Sequence, residues 1–179
     1  MFFVDGDTNR VAIGTNAPQS IFHVSDDTTQ IIFDRVGNDA SPVYFDIRKT
    51  RHASTGMGGV ALNDNDTIGM IRFMGDDGNS AEEFSSIRCL VNGTVANADS
   101  PGELQFWTTT DGGNTPVQRM TILNSGFVGI GETAPANILH LGGLGSADGI
   151  YFDGTTKIKI TTTADGGTDS LNVTGQQDR

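Results

Sequence analysis

The stretch VAIGTNAPQSIFHV, residues 11–24, returns as VGIGETAPANILHL at residues 128–141. Seven of the fourteen positions are identical: Val11/Val128, Ile13/Ile130, Gly14/Gly131, Ala17/Ala134, Pro18/Pro135, Ile21/Ile138 and His23/His140. In each copy a short strand ends at glycine, and the following proline lacks the N–H that a continuing ladder needs. The repeat therefore predicts a strand–corner–strand unit that is used twice. The structural corner residues are Gly14, Pro18, Gly131 and Pro135.

The repeat also places apolar side chains and a histidine at fixed positions. Both copies are expected to follow one backbone path and to bury the same isoleucines. The isoleucines are Ile13, Ile21, Ile130 and Ile138. The histidines at equivalent positions, His23 and His140, are compatible with metal ligands or a pH switch. They recur with the corner and not with a group of carboxylates, which favours packing or hydrogen bonding within the corner.

Short alternating segments dominate the rest of the chain and predict strands. They are rich in β-branched and aromatic residues and end at turn signals such as DGDTN at 5–9 and DDGN at 76–79. The segments are RVAIG, SIFHV, QIIFDRV, PVYFDIRKT, TIGMIRFMG, SSIRCLV, ELQFWTTT, QRMTIL, FVGIG, NILHL, GIYFDG, KIKITTT and SLNVT. NSAEEFSS at 79–86 has a helix-capping pattern, but it is predicted as a loop with at most one turn because alternation follows it directly. The fold class is therefore predicted as all-β, a short-stranded antiparallel β-sandwich or β-prism module.

The repeat also divides the chain into parts. The predicted organisation is a repeat corner with a short β segment at 1–24, a central β module at 25–122, a second corner at 123–143 and a C-terminal β segment at 144–179. A second echo, TTTDGGNT at 108–115 and TTTADGGT at 161–168, indicates that another body begins in the C-terminal segment.

The composition predicts a thin core. Apolar residues make up 36% of the 179 residues, and the 24 glycines are roughly twice the average share of ~7%. Glycine adds no side chain to a core and raises the entropy lost on folding. A core shared with identical neighbours is the expected remedy.

Charge and cysteine content exclude several classes of partner and site. The formal net charge of −11 argues against nucleic acid and against anionic membrane surfaces as partners. Cys89 is the single cysteine, which excludes an intrachain disulfide and a cysteine-based zinc site. No run approaches the ~18 apolar residues of a membrane span, and MFFVDGDTNR lacks the regions of a signal peptide. A soluble protein made in a reducing cytoplasm is expected.

No motif predicts a catalytic, cofactor-binding or metal site. GxSxG, HExxH and GxGxxG are absent. The stretch 5–9 begins like a calcium loop, but Arg10 stands where glycine is needed and Asn16 where glutamate is needed, so a turn is favoured. An oxygen-lined Ca²⁺ site assembled from several loops stays open, as does a pair of carboxylates that cuts polysaccharide.

One basic patch could contact a partner. It consists of Arg48, Lys49 and Arg51, next to His52. Such a patch could meet an acidic glycan or an acidic neighbour in a capsid, while a solvated loop is the plainer interpretation.

The single tryptophan, Trp107, lies in the predicted strand ELQFWTTT. Leu104 and Phe106 share one face of that strand, so Trp107 points to the other, beside Gln105. An exposed tryptophan would serve as a contact surface for a sugar ring or a protein partner. A tryptophan covered by a second sheet or by another copy would be core, which is the favoured interpretation.

The repeat carries a resemblance to a known family. NRVAIGTNAPQSIFHV and NSGFVGIGETAPANILHL resemble the G-x-VGIGT-x-x-P…LHV repeat of bacteriophage tail fibres and related virion proteins. RKTR, IGMIRFMGDDG, SSIRCLVNGT, GELQFWTTTDGG and QRMTI resemble the module that lies between such repeats in fibre sequences. Together these stretches cover nearly the whole chain. Bacterial surface and adhesin-like proteins carry the repeat signature as well.

The resemblance implies an intertwined homotrimer that serves as virion structure or as a host-surface adhesin, without catalytic residues. Its partners would be other copies, other virion proteins and a host-surface glycan or receptor. Its location would be the virion, after synthesis in the bacterial cytoplasm. A small trimeric capsid decoration (cement) protein is the alternative, motivated by length, and a polysaccharide-degrading tailspike is the third. The chain is shorter than a whole fibre and shows no recognisable particle-anchoring head or C-terminal chaperone.

Overall fold

The computed structural model describes residues 1–27, 29–51 and 60–142. These residues contain nine strands and no helix, so the all-β prediction is confirmed for them. The strands are β1 (Phe2–Asp5), β2 (Arg10–Ile13), β3 (Phe22–Val24), β4 (Thr67–Asp76), β5 (Ala81–Val91), β6 (Gly102–Thr109), β7 (Pro116–Ile122), β8 (Val128–Ile130) and β9 (Leu139–Leu141). They form a three-stranded sheet, β1-β2-β3, and a six-stranded sheet, β4-β5-β6-β7-β8-β9. No helix that could span a membrane occurs in the described residues.

The three-stranded sheet begins with a hairpin. The strands β1 and β2 pair antiparallel around the DGDTN turn. The carboxylate of Asp5 accepts hydrogen bonds from the backbone N–H groups of Asp7 and Thr8, and Asn9 takes a left-handed conformation with φ of 55°. The stretch is therefore a turn, as predicted. The strand β1 itself was not expected from the sequence.

The six-stranded sheet is an antiparallel meander from β4 to β8, to which β9 is added in parallel. The strands β4 and β5 have 10 and 11 residues, longer than the segments in the sequence suggest. Their hairpin turn is closed by Asp77, whose carboxylate accepts from the N–H groups of Asn79 and Ser80. The predicted loop at 79–86 is wrong from residue 81 onward, because pairing with β4 outweighs the local capping signal.

The two copies of the repeat adopt the same backbone path. The strands β2 and β3 pair in parallel with Val11 opposite Phe22, and β8 and β9 pair in parallel with Val128 opposite Leu139. Eight residues, 14–21 in the first copy, join the strands, although parallel neighbours are usually joined by ~12 or more. Corresponding hydrogen bonds anchor both connections, since the N–H groups of Val11 and Val128 donate to the carbonyls ten residues later. Each copy is therefore a strand, an eight-residue connection and a second, parallel strand.

The structural repeat is longer than the sequence repeat. The strand β7 stands beside β8 as β1 stands beside β2. The N–H of Gly14 donates to the carbonyl of Met1, and the N–H of Gly131 donates to the carbonyl of Arg119. Each unit is therefore a hairpin, a corner and a third, parallel strand. The repeat in the sequence does not include the first strand of each unit, because β1 and β7 share backbone geometry but not residue types.

Glycine makes the corner possible. Gly14 and Gly131 have φ values of +86° and +69°, which L-residues with a side chain rarely adopt. A Cβ atom at Gly14 would overlap the carbonyl oxygen of Ser25, and one at Gly131 would overlap that of Gly142. The chain leaving the corner therefore runs directly against the glycine. Both corner prolines, Pro18 and Pro135, are buried.

Side chains close the corner loop in the same way in both copies. Thr15 accepts a hydrogen bond from the N–H of Ala17, and Glu132 at the equivalent position accepts one from the N–H of Ala134. The Nδ1 atom of His23 accepts a long hydrogen bond, 3.4 Å, from the N–H four residues earlier. His140 does the same at 3.4 Å. The recurring histidine thus has the structural role that the sequence favours.

Two expectations fail in the single chain: the burial of the repeat isoleucines and the strands in two of the predicted segments. The isoleucines of the repeat, which were expected to be buried, are exposed: Ile13, Ile21, Ile130 and Ile138. The segments QIIFDRV and PVYFDIRKT contain no strand. The chain divides into two compact units, Met1–Arg48 and a second that begins at Lys49. His52, the echo at 161–168 and the C-terminal β segment lie outside the described residues.

Replacing Gly131 by valine should destabilise the corner. The positive φ of Gly131 and the nearby carbonyl oxygen of Gly142 leave no room for a β-branched side chain. We expect a loss of about 1–3 kcal/mol per chain from backbone strain alone. Thermal and urea unfolding at one fixed protein concentration would measure it.

Gly6→Val is the matched control. Gly6 lies in the turn between β1 and β2, nothing lies within 4 Å of a Cβ added there, and its φ is not positive. This substitution should leave the unfolding midpoint close to that of the parent. Equal losses in Gly6→Val and Gly131→Val would contradict the corner as the origin of the effect.

Candidate assembly interface

The six-stranded sheet has two chemically different faces. Strand pairing places Ile87 opposite Phe106 and Cys89 opposite Leu104, while Ser86 lies opposite Trp107 on the other side. We call the first side face A and the second side face B. Face A consists of Gly69, Ile71, Phe73, Ser85, Ile87, Cys89, Val91, Gly102, Leu104, Phe106, Thr108, Val117, Met120, Ile122, Val128, Ile130, Leu139 and Leu141.

Face A is mainly apolar, and much of it is exposed among the described residues; one charged group reaches its border, where the Arg119 guanidinium donates to Thr108 Oγ1 at 3.0 Å. Ile71 in β4 is 47% exposed, and Phe73, Val117, Ile130 and Leu139 are exposed as well. Contiguous apolar surface of this kind marks an interaction site in a soluble protein. Face A is therefore the candidate assembly interface.

Most of the buried side chains of the sheet lie on face B and are polar; Val91 on face A is the apolar exception, at 2% exposure. Thr121 is fully buried, and Glu103, Gln105 and Ser86 are nearly so. The carboxylate of Glu103 accepts from Gln105 Nε2 and Thr121 Oγ1, each at 2.7 Å, and from Asn92 Nδ2 at 2.8 Å. Three neutral donors thus satisfy one buried carboxylate, which keeps the network inside a single chain.

The network continues to Trp107. Its indole Nε1 donates to Gln105 Oε1 at 2.8 Å, and the guanidinium of Arg88 lies 4.1 Å from the ring centroid. Arg88 also donates to Ser86 at 2.8 Å and to Glu83 at 2.7 Å. The Ser86 hydroxyl and then the Arg88 guanidinium hold the pKa of the Glu83 carboxyl below its ordinary value. Trp107 is half-buried on face B, so its side of the strand is as predicted.

The basic patch is held by an acidic residue of its own chain. Asp66, just before β4, accepts from Lys49 Nζ at 3.0 Å and from Arg51 Nε at 2.5 Å. Arg51 and then the N–H of Asn63 are the main causes that hold the pKa of Asp66 well below its usual range. Arg48 lies in the other unit and is exposed. A contact role for this patch and for Trp107 stays a prediction.

No cluster of three or more His, Cys, Asp or Glu residues that could hold a metal occurs in the part of the chain that the structure describes. The acidic turn residues there bond to their own backbones, as Asp5 and Asp77 show. A cavity of about 300 Å³ lies between the hairpin tips of β4–β5 and β6–β7. Its lining includes Phe84, Glu82 and Asp111.

Sequence reasoning missed the interface as a whole. The alternation in ELQFW shows which residues share a face of one strand, but pairing with SSIRC is needed to assemble a continuous face. The long-range bond from Thr121 to Glu103 carries no local signal in the sequence. The available clue in the sequence was the alternation of Glu103 and Gln105 with apolar residues in ELQF.

Glu83→Gln should remove a stabilisation that depends on pH. The folded pKa of Glu83 lies below its ordinary value of 4.5, so its stabilisation is present above that value and is lost as pH falls through the folded pKa. At pH 7 the variant should be less stable by about 0.5–1 kcal/mol, because the pair with Arg88 is partly solvated. At pH 3 the difference should shrink. Urea unfolding at both pH values measures it, with Glu82→Gln as the control.

No protein-family profile matches the chain, and no curated protein matches it at a significant level. Among solved structures, the chain is similar to the carboxy-terminal domain of the L-shaped tail fibre of bacteriophage T5. The TM-score is 0.52 with 14% sequence identity, over 83% of this chain and 51% of that one. This chain therefore spans about half the length of that domain. At this identity the similarity concerns the fold, and the all-β fold described above is similar to that of a phage tail-fibre domain.

Proposed function

We propose that the chain is a non-enzymatic structural protein of a phage virion, of the tail-fibre type, and that three copies share one core. Its location would be the virion, after synthesis in the bacterial cytoplasm. Its contacts would be with other virion proteins and with a host-surface glycan or receptor. Antibody labelling of purified particles would test the location, and labelling of the capsid surface in place of a fibre would contradict it.

The observation that carries the proposal is the placement of side chains on the six-stranded sheet. Polar side chains on face B are buried and hydrogen-bonded within one chain, while the apolar side chains of face A are left exposed. Burial of apolar surface is the main favourable term in folding and in association. A protein with this arrangement gains that term by packing copies against one another. The fold similarity to a tail-fibre domain supports the same conclusion.

The corner units support assembly in the same way. In the three-stranded sheet, Phe2, Val4, Ile13 and Phe22 are exposed on one side. The equivalent positions beside the second corner belong to face A. Both corners therefore present an apolar face, which suits a fibre whose copies stay in contact along their length.

Ile71→Lys should prevent assembly, whereas Met70→Lys should not. The two residues are neighbours in β4 on opposite faces, and their exposures are similar at 47% and 41%. A lysine at position 71 would place a charge in the shared core, which is costly. Light scattering should give about three times 18.9 kDa for the parent and for Met70→Lys, and about one times 18.9 kDa for Ile71→Lys.

Circular dichroism should show that both lysine variants keep their β structure. A monomeric parent that unfolds cooperatively would contradict the shared core. So would equal loss of assembly in both variants, because the two faces would then be equivalent.

The proposal includes no catalytic role, and three carboxylates of the described residues have structural partners that support this. Glu103 is held by three donors, Asp66 by two cations and Asp77 by its own turn. The parent should release no reducing sugar from surface polysaccharides of candidate hosts, under conditions in which a polysaccharide-degrading enzyme does. Release that disappears in a carboxylate variant with the parent's assembly mass would establish an enzyme.

A further inference from the structure

Residues 30–47 form an apolar segment without strand pairing in the described structure; we call it the arm. Its exposed apolar side chains are Ile31, Ile32, Phe33, Val36, Val43, Tyr44, Phe45 and Ile47. So many exposed large side chains in 18 residues are unusual for a soluble protein. The arm is therefore a further exposed apolar surface among the described residues, besides face A and the apolar side of the three-stranded sheet.

The arm has internal order. Phe33 and Phe45 contact each other with ring centroids 5.6 Å apart. Between them, Arg35 pairs with Asp39 at 2.8 Å and donates to the carbonyl of Ser41. The two limbs, 30–36 and 42–47, thus lie together as one unit. In the extended second limb, Val43, Phe45 and Ile47 would share a side, and Tyr44 and Asp46 would take the other.

The chain just after the arm is fixed to the six-stranded sheet. Lys49 and Arg51 pair with Asp66, which immediately precedes β4. The first residues of the second unit, directly after the arm in the sequence, are therefore anchored next to β4. The second limb has six residues and extends roughly 20 Å, far enough to reach across several strands of a sheet in another copy.

Charge makes a second copy the fitting occupant of face A. The chain has a net charge of −11, so copies repel one another except where the contact surfaces exclude charge. The centre of face A contains no charged side chain, its one charged neighbour being Arg119 at the Thr108 border, and the Val43 side of the arm contains none either. Each copy brings one arm and one face A. A contact of arm to face is therefore head-to-tail, and such contacts close into a ring when the rotation allows.

We propose that the arm of one copy packs on face A of a neighbouring copy, with the Val43 side facing the sheet. This inference rests on the proposed assembly of three copies and names the segment that links them. The arm would be the exchanged element, and face A its receptor surface. The segments QIIFDRV and PVYFDIRKT, which the sequence predicts as strands but which form no strand in the described structure, would then have their partner in another copy.

Cys89 supplies the test, because it is the single cysteine and lies on face A. Val43→Cys places a second thiol on the sheet-facing side of the arm. Tyr44→Cys places it on the other side of the same limb and is the matched control. Tagged Val43→Cys/Cys89→Ser chains, which carry only the arm thiol, are co-expressed with untagged parent chains, which carry only Cys89. Mild oxidation and a short bis-maleimide are the two cross-linking treatments, read on a non-reducing gel.

We expect a cross-linked species of one tagged and one untagged chain with Val43→Cys, at least tenfold more than with the Tyr44→Cys counterpart. Equal yields from both variants would overturn the arm exchange. If light scattering shows the trimer mass but no link forms between the thiol at position 43 and Cys89, only the arm exchange is contradicted. If the mass is that of a monomer, the proposed assembly is contradicted as well.

Discussion

A sheet one layer thick has two faces, and each face must be covered, hydrated or satisfied by its own side chains. On face B the chain satisfies its polar groups internally, with Glu103 at the centre of a ladder that runs from Asn92 to Trp107 and Arg88. A ladder of this kind cannot also bury much apolar surface. Many apolar residues of these strands lie on face A, where the described residues leave Ile71, Phe73 and Val117 exposed. The proposed assembly follows from this side-chain arrangement of the fold.

The corners impose a second constraint, which is steric. An eight-residue connection between parallel neighbours brings the departing chain against the start of the loop. Glycine at 14 and 131 is needed for the positive φ. The residue two positions before each of these glycines must also be small. That position holds Ala12 in one copy and Gly129 in the other, and both are buried. A Cβ on Gly129 would overlap the carbonyl oxygen of Glu132, so the two loops must differ slightly there.

Much of the fold could be predicted from the sequence, since alternation and turn residues identify β2 to β9 approximately. The first strand, FFVD, was missed because three apolar residues in a row show no alternation. The corner glycines and prolines were found because they recur. The burial of Ile13 and Ile138 was predicted wrongly for the single chain, because an apolar pattern does not say which copy covers it. The network around Glu103 joins residues up to 18 positions apart, beyond the range of any local pattern.

The equivalence of the two corners has a genetic consequence. Val11 and Val128 are 117 positions apart. Their pairing partners, Phe22 and Leu139, occupy equivalent positions of the repeat, and the two connections have the same length and corresponding hydrogen bonds. Recombination between the two coding stretches would remove or duplicate one intervening body in frame. Every join would fall inside a corner whose hydrogen bonds both parents already make. A protein with this organisation can gain or lose the whole segment between two corners while the backbone geometry at each junction stays the same. Related proteins would then differ in length while each corner keeps its structure.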